Sequence, residues 1–155
     1  MYEESISIYN RNNLINIGIR DIEKYHGGLC PGILIGFKAT ELAIERLWNS
    51  EVPQRDEFLI TISEKVCECV IDSFEFITRA RSRGNLIIKP TNKRGIDWSF
   101  IFVRRSTDRA IEIRLKDAIS PRKRLPKSKR DEFSRMIKNS DAHKLFYVKE
   151  KDEID

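Results

Sequence analysis

In the stretch YHGGLCPG, residues 25–32, a histidine and a cysteine, His26 and Cys30, stand four positions apart. Imidazole nitrogen and cysteine thiolate are both ligands for zinc and similar divalent transition metals. Gly27 and Gly28 lie between them and let the backbone turn so that the two side chains converge. Pro31 follows, and proline suits the first helical position, where an N–H would have no partner. Cys30 then falls at the N-cap, where unpaired N–H groups and the helix dipole favour negative charge and lower a thiol pKa. Cys69, on the apolar face of a later helix, is a third ligand able to approach from a neighbouring element. The spacing leaves other interpretations open. Cysteine is among the most buried residue types, so Cys30 could cap a helix, Cys69 fill the core and His26 pack in a turn. His26 and Cys30 could also act as base and thiolate, or as an open metal site, in a small enzyme.

The elements that must position these residues follow from periodicity. Residues 10–24 read as a first helix carrying Leu14, Ile15, Ile17, Ile19 and Ile22, stopped by Gly27 and Gly28. A second helix runs from Pro31 to about Trp48 and buries Ile35, Ala39, Leu42, Ala43 and Leu47. A third is expected over 67–79, with Cys69, Val70, Ser73 and Ile77 on its inner face and Cys67 beside it. Glu68, Asp72, Glu75 and Arg79 form its polar stripe, and Asp72 and Glu75 read as a surface pair. Strands are expected at 57–63, 86–90, 96–104 and 109–115, the last two joined by a short hairpin loop. An amphipathic helix over 127–139 and a strand at 145–148 complete the chain. Helices first, then neighbouring antiparallel strands, means α+β, with the helices packed on one face of a mostly antiparallel sheet. Residues 1–150 read as one domain, and 151–155 as a charged, disordered tail.

A chain of 155 residues suits a single core. The polar, acidic N-terminus has no apolar segment of a secretory signal, and no apolar run approaches the roughly 20 residues of a membrane span. Three cysteines, an odd number, fit reduced thiols in the cytoplasm better than a disulfide framework. The net charge of +5 is local: RKRLPKSKR, residues 122–130, holds six of the 29 basic residues and no acid. The 23 that remain face 24 acidic residues, so the rest of the surface is balanced. The run has no interleaved aromatics and no helix-turn-helix around it, which argues against nucleic acid and for a flexible loop. Arg79, Arg81 and Arg83 precede a Gly84-Asn85 turn. Guanidinium forks grip phosphate or carboxylate, and free N–H groups at 84 and 85 would complete an anion site. A metal-free anion- or nucleic-acid-binding module using this loop and the basic run is therefore an alternative function. There is no nucleophile elbow, phosphate loop or HExxH.

Several separated motifs, in order, resemble one family, FmdE, named for a component of formylmethanofuran dehydrogenase. Its signature is approximately HGHxCPGxxxGxR, then a Cys-x-x-Asp helix and a GCTxGKGNL loop. Here the first part reads His26, Gly27, Gly28, Leu29, Cys30, Pro31, Gly32, Gly36 and Lys38. The helix reads Cys69-Val70-Ile71-Asp72, and the loop ends Arg83-Gly84-Asn85-Leu86. The strands with WSFIFV and IEIRLK, and LFYV near the end, extend the likeness over residues 10–148. The resemblance implies a zinc or similar divalent metal held by His26, Cys30 and Cys69 in a non-catalytic accessory domain. It also implies a homodimer and a larger oxidoreductase complex, of the kind that fixes carbon dioxide onto methanofuran in methanogenic metabolism. Two departures stand out. The family's second histidine is Gly28, and its loop cysteine is missing from RARSRGN, where Ala80 stands near its place. No cysteines remain for the zinc finger appended in some members.

Overall fold

The computed structural model describes residues 4–121 and 123–151. It opens with a hairpin, β1 (Ser5–Asn10) and β2 (Asn13–Gly18), paired antiparallel from Ser5 against Gly18 to Asn10 against Asn13. The helix expected over 10–24 is therefore wrong in its first half; only Ile19–His26 is helical, as α1. The reason is a period. Ile6, Ile8 and Ile17 are the residues buried, and Ile15, Ile17 and Ile19 alternate in steps of two, which is a strand signature. The turn residue Arg11 adopts φ 58°, a left-handed conformation found at tight reversals.

The long helix α2, Pro31–Trp48, is the centre of the molecule, with thirteen of its eighteen residues buried. Strand β3 (Phe58–Ser63) and helix α3 (Glu68–Thr78) follow, and α3 carries the chain over to β4 (Leu86–Lys89). β3 and β4 pair in parallel, which requires such a crossover. Strands β5 (Ser99–Arg104) and β6 (Arg109–Leu115), helices α4 (Lys127–Lys138) and α5 (Ala142–Leu145), and β7 (Phe146–Lys151) complete the order. The main sheet runs β4-β3-β5-β6-β7, antiparallel except for the first pair. The fold is α+β, as expected. β7 runs three residues further than the expected 145–148 strand, so Lys151 belongs to the sheet; the rest of the charged tail lies outside the described residues, as does Arg122.

Register places Ile60, Phe102 and Ile111 side by side, with Phe100 against Ile113 on the same face. All are fully buried. Phe74 of α3 packs edge-on against both phenylalanines, with ring centroids 5.3 Å away. The opposite face bears Arg114 and Tyr147, paired across β6 and β7, with the guanidinium 4.9 Å from the ring centre. One apolar and one mixed face is the period-two pattern of a sheet covered on one side.

Two glycines decide how closely α2 meets α3. A Cβ added at Gly32 would lie 2.4 Å from Cys69 Cβ, and one at Gly36 would lie 2.7 Å from Ser73 Cβ. Neither separation is tolerable, so only glycine allows the approach. Ser73 uses it to donate a 2.7 Å hydrogen bond to the carbonyl of Ile33. Lys38, which replaces the arginine of the family signature, is 2% exposed. Its Nζ pairs with Glu4 at 2.7 Å and donates to the Ser140 carbonyl at 2.9 Å. Paired in this way, the buried charge ties α2 to the segment after α4.

Candidate metal centre

The three sequence-predicted ligands come together where three helix ends meet. His26 is the last residue of α1, Cys30 is the N-cap of α2 and Cys69 is the second residue of α3. Gly27, at φ 102°, closes α1 by donating to Glu23 O at 2.8 Å and turns the chain toward α2. Tyr25 stacks at 5.3 Å on Phe76, one turn beyond Asp72, and so holds the end of α1 against α3. One ligand atom from each of His26, Cys30 and Cys69 lies within 4.8 Å of the other two.

Asp72 orients the histidine. Its Oδ2 is 2.6 Å from His26 Nδ1, leaving Nε2 directed at Cys30 Sγ, 3.5 Å away. A carboxylate on the remote imidazole nitrogen is the usual outer support of a metal-bound histidine: it fixes the tautomer and strengthens the ligand. Periodicity places Asp72 with Glu75 on the surface; the structure corrects this, since Asp72 is partly buried and pairs with His26 instead. The Cys-x-x-Asp spacing was the available signal: three residues is nearly one helical turn, so Cys69 and Asp72 face the same way.

The residues present fit a zinc-like ion. With a zinc–sulfur bond of about 2.3 Å and a zinc–nitrogen bond of about 2.0 Å, a tetrahedral angle separates the two ligand atoms by about 3.5 Å. The 3.5 Å between Cys30 Sγ and His26 Nε2 matches that separation. Imidazole and thiolates are the donor set that such ions prefer.

The protons of the metal-free cluster are arranged as a chain. Cys30 donates to Cys69, and Cys69 donates to Cys67. The hydrogen bond to Cys69, aided by burial, pushes the Cys30 thiol well up, the reverse of the lowering expected from its N-cap position alone. In Cys69 the bond from Cys30 pulls down, but donation to Cys67 and burial win, and its pKa is raised. Cys67 receives the last hydrogen bond and is brought down to about 7. For His26, burial opposes protonation, but the bond to Asp72 and the nearness of Cys30 outweigh it, so its pKa is raised. Sequence pattern marks Cys67 only as a neighbour of the apolar face. It is the N-cap of α3 and, with Cys30 and Cys69, lines a cavity of about 380 Å³ beside the cluster.

The arginine loop is a different environment. Arg79 caps α3 in a left-handed conformation, Arg81 pairs with Glu68 at 3.0 Å, and Arg83 donates to Asn10 at 2.8 Å. The N–H groups of Gly84 and Asn85, expected to be free for an anion, donate instead to the carbonyls of Arg81 and Ala80. Arg55 caps the carbonyls of Phe76 and Ile77; burial, then the charges of Arg79 and Arg83, hold its pKa down. Cations gathered at a helix C-terminus complement its dipole. None of Arg79, Arg81 or Arg83 lines the cavity beside the cysteines.

Fold and site together define an α+β domain with a histidine–cysteine–cysteine cluster at a three-helix junction. Residues 25–154 match the family described as FmdE, molybdenum formylmethanofuran dehydrogenase operon, and the chain belongs to that family. A solved structure of similar fold is that of an FmdE-like protein of tungsten formylmethanofuran dehydrogenase from Syntrophus aciditrophicus. It is 15% identical, with a TM-score of 0.61, over 86% of this chain and 69% of that one. No curated protein matches.

Proposed function

We propose that this chain is a metal-binding accessory domain that holds one zinc or similar divalent ion through His26, Cys30 and Cys69, without catalysis of its own. The carrying observation is the Asp72–His26–Cys30 alignment, a supported imidazole aimed at a thiol at metal-ligand separation. A core histidine would need only one satisfied nitrogen; this one is braced on Nδ1 and presents Nε2 to sulfur. The three free thiols favour a reducing compartment, the cytoplasm. No helix among the described residues is long and apolar enough to cross a membrane. The family description, which refers to a dehydrogenase operon, is compatible with service in a larger one-carbon oxidoreductase complex, as a homodimer.

Metal analysis of reduced protein, followed by chelator competition, tests this reading. The expected result is one equivalent of bound divalent ion, lost in Cys30→Ser and in Cys69→Ser. Absence of bound metal, with melting unchanged by chelator, would return the three residues to capping and packing roles. A second reading, a small enzyme at the same site, is favoured by the adjoining cavity, because three protein ligands leave a fourth position open. Cysteine reactivity toward electrophiles, with and without chelator, separates the two: an accessory site is protected by metal, a catalytic one stays reactive.

A further inference from the structure

The basic run that the metal site leaves unexplained is part of that site's surroundings. Lys123, Arg124 and Arg130 all line the cavity beside Cys30, Cys67 and Cys69. Between the cysteines and the cations lies an apolar wall: Ile96, Trp98, Leu125 and Phe133. The wall is tied down. Trp98 Nε1–H donates to the carbonyl of Pro121 at 3.0 Å, fixing the start of the loop. Arg130 and Phe133 stand one turn apart on α4 and face the same way.

Charge decides what such a cavity prefers. No aspartate or glutamate lines it, and the described residues offer no ion-pair partner to Lys123, Arg124 or Arg130. A divalent ion with two thiolates and a neutral imidazole carries no net charge, so the cations stay uncompensated when the site is loaded. Pro31 and Gly32, the first turn of α2, also line the cavity and present the positive end of that helix. Solvated surface lysines normally point away from one another. Here three cations converge on one enclosed apolar space, whose volume of about 380 Å³ suits a small organic molecule.

We propose that this cavity binds a small organic anion, with an apolar or aromatic body against Trp98 and Phe133 and a carboxylate or phosphate held by Lys123, Arg124 and Arg130. Contact between the bound molecule and the metal rests on the metal-site reading above; capture of the anion does not.

The test is a titration of the isotope-labelled full chain with benzoate, phenyl phosphate and uncharged benzyl alcohol, followed at the tryptophan indole N–H signals. The chain has two tryptophans, and Trp48 is buried against Phe58, so it serves as the internal control. Benzoate or phenyl phosphate should shift the Trp98 signal with about tenfold higher affinity than benzyl alcohol, the scale of one charge-assisted hydrogen bond. Which of the two anions binds better assigns the head group. Lys123→Gln with Arg124→Gln, both exposed and harmless to folding, should remove most of that preference, and adding Arg130→Gln the remainder. The titration is repeated after chelation, so loss of metal and loss of anion binding are read separately. Equal shifts by benzoate and benzyl alcohol, or full benzoate affinity in the variants, would overturn the proposal.

Discussion

Gly32→Ala tests whether helix approach assembles the metal centre. The added Cβ would sit 2.4 Å from Cys69 Cβ, 3.4 Å from Cys67 Sγ and 3.5 Å from Val70 N. None of these is the end of a flexible chain, so α2 and α3 must part by more than about 1 Å to regain ordinary contact. Overpacking of this kind costs about 1–3 kcal/mol. Metal-free protein can relieve the strain by separation. Metal cannot, because ligand distances tolerate only about 0.2 Å. Binding must therefore close the gap again, and the same 1–3 kcal/mol appears as a loss of roughly 5- to 150-fold in affinity. Zinc competition against a chromophoric chelator measures it, with urea unfolding of the metal-free form alongside. Gly36→Ala is the control: its Cβ meets Ser73 at 2.7 Å, one turn away from any ligand. It should destabilise the fold comparably and weaken zinc binding less. Unchanged zinc affinity in Gly32→Ala, or an equal loss in Gly36→Ala, would refute the argument.

Asp72→Asn removes the charge behind His26 while keeping its shape, and should weaken metal binding about 10- to 100-fold in the same competition assay. Metal binding should depend steeply on pH. Cys30 and Cys69 have raised pKa values and are protonated at neutral pH, so the ion must displace two protons. His26, also raised, adds a third as pH falls through its titration. Log affinity should therefore drop by about two per pH unit near pH 8 and by about three at lower pH, measured by calorimetry in matched buffers. In chelated protein, iodoacetamide should alkylate Cys67 first, since it alone is brought down to about 7, with tryptic mapping to identify the site. Lys38→Met strands Glu4 and the Ser140 carbonyl, and should cost about 1–3 kcal/mol in urea unfolding without altering zinc affinity.

The helices that carry the site were legible because local rules dominate there. Glycine at a C-terminus, proline at a first turn and an apolar stripe placed α2 at 31–48, and Cys30 at its cap. The N-terminal hairpin was missed because a run rich in isoleucine satisfies both periods over a short window, and only pairing with residues 5–10 decides between them. Asp72 was missed for a different reason. On its own helix it sits on a charged stripe; only the approach of α1, set by Tyr25 on Phe76 and by the glycine turn, brings His26 to it. The direction of the Cys30 shift was likewise beyond a local reading. A helix N-terminus lowers a thiol pKa, but three thiols converging in space share protons, and Cys30 stands at the donating end. The basic run looked like free surface because nothing near it in sequence is apolar enough to face. Its cavity is built from the start of α2, the start of α3 and the segment leading into β5, all distant from the run in sequence.

X-ray absorption at the zinc edge, on reduced full-length protein loaded with one equivalent of zinc, tests the central claim most directly. A site made by His26, Cys30 and Cys69 predicts two sulfurs at about 2.3 Å and the remaining shell of nitrogen and oxygen at about 2.0–2.1 Å. It predicts one sulfur in Cys69→Ser. A shell of nitrogen and oxygen alone, or a sulfur count that Cys69→Ser leaves unchanged, would contradict it.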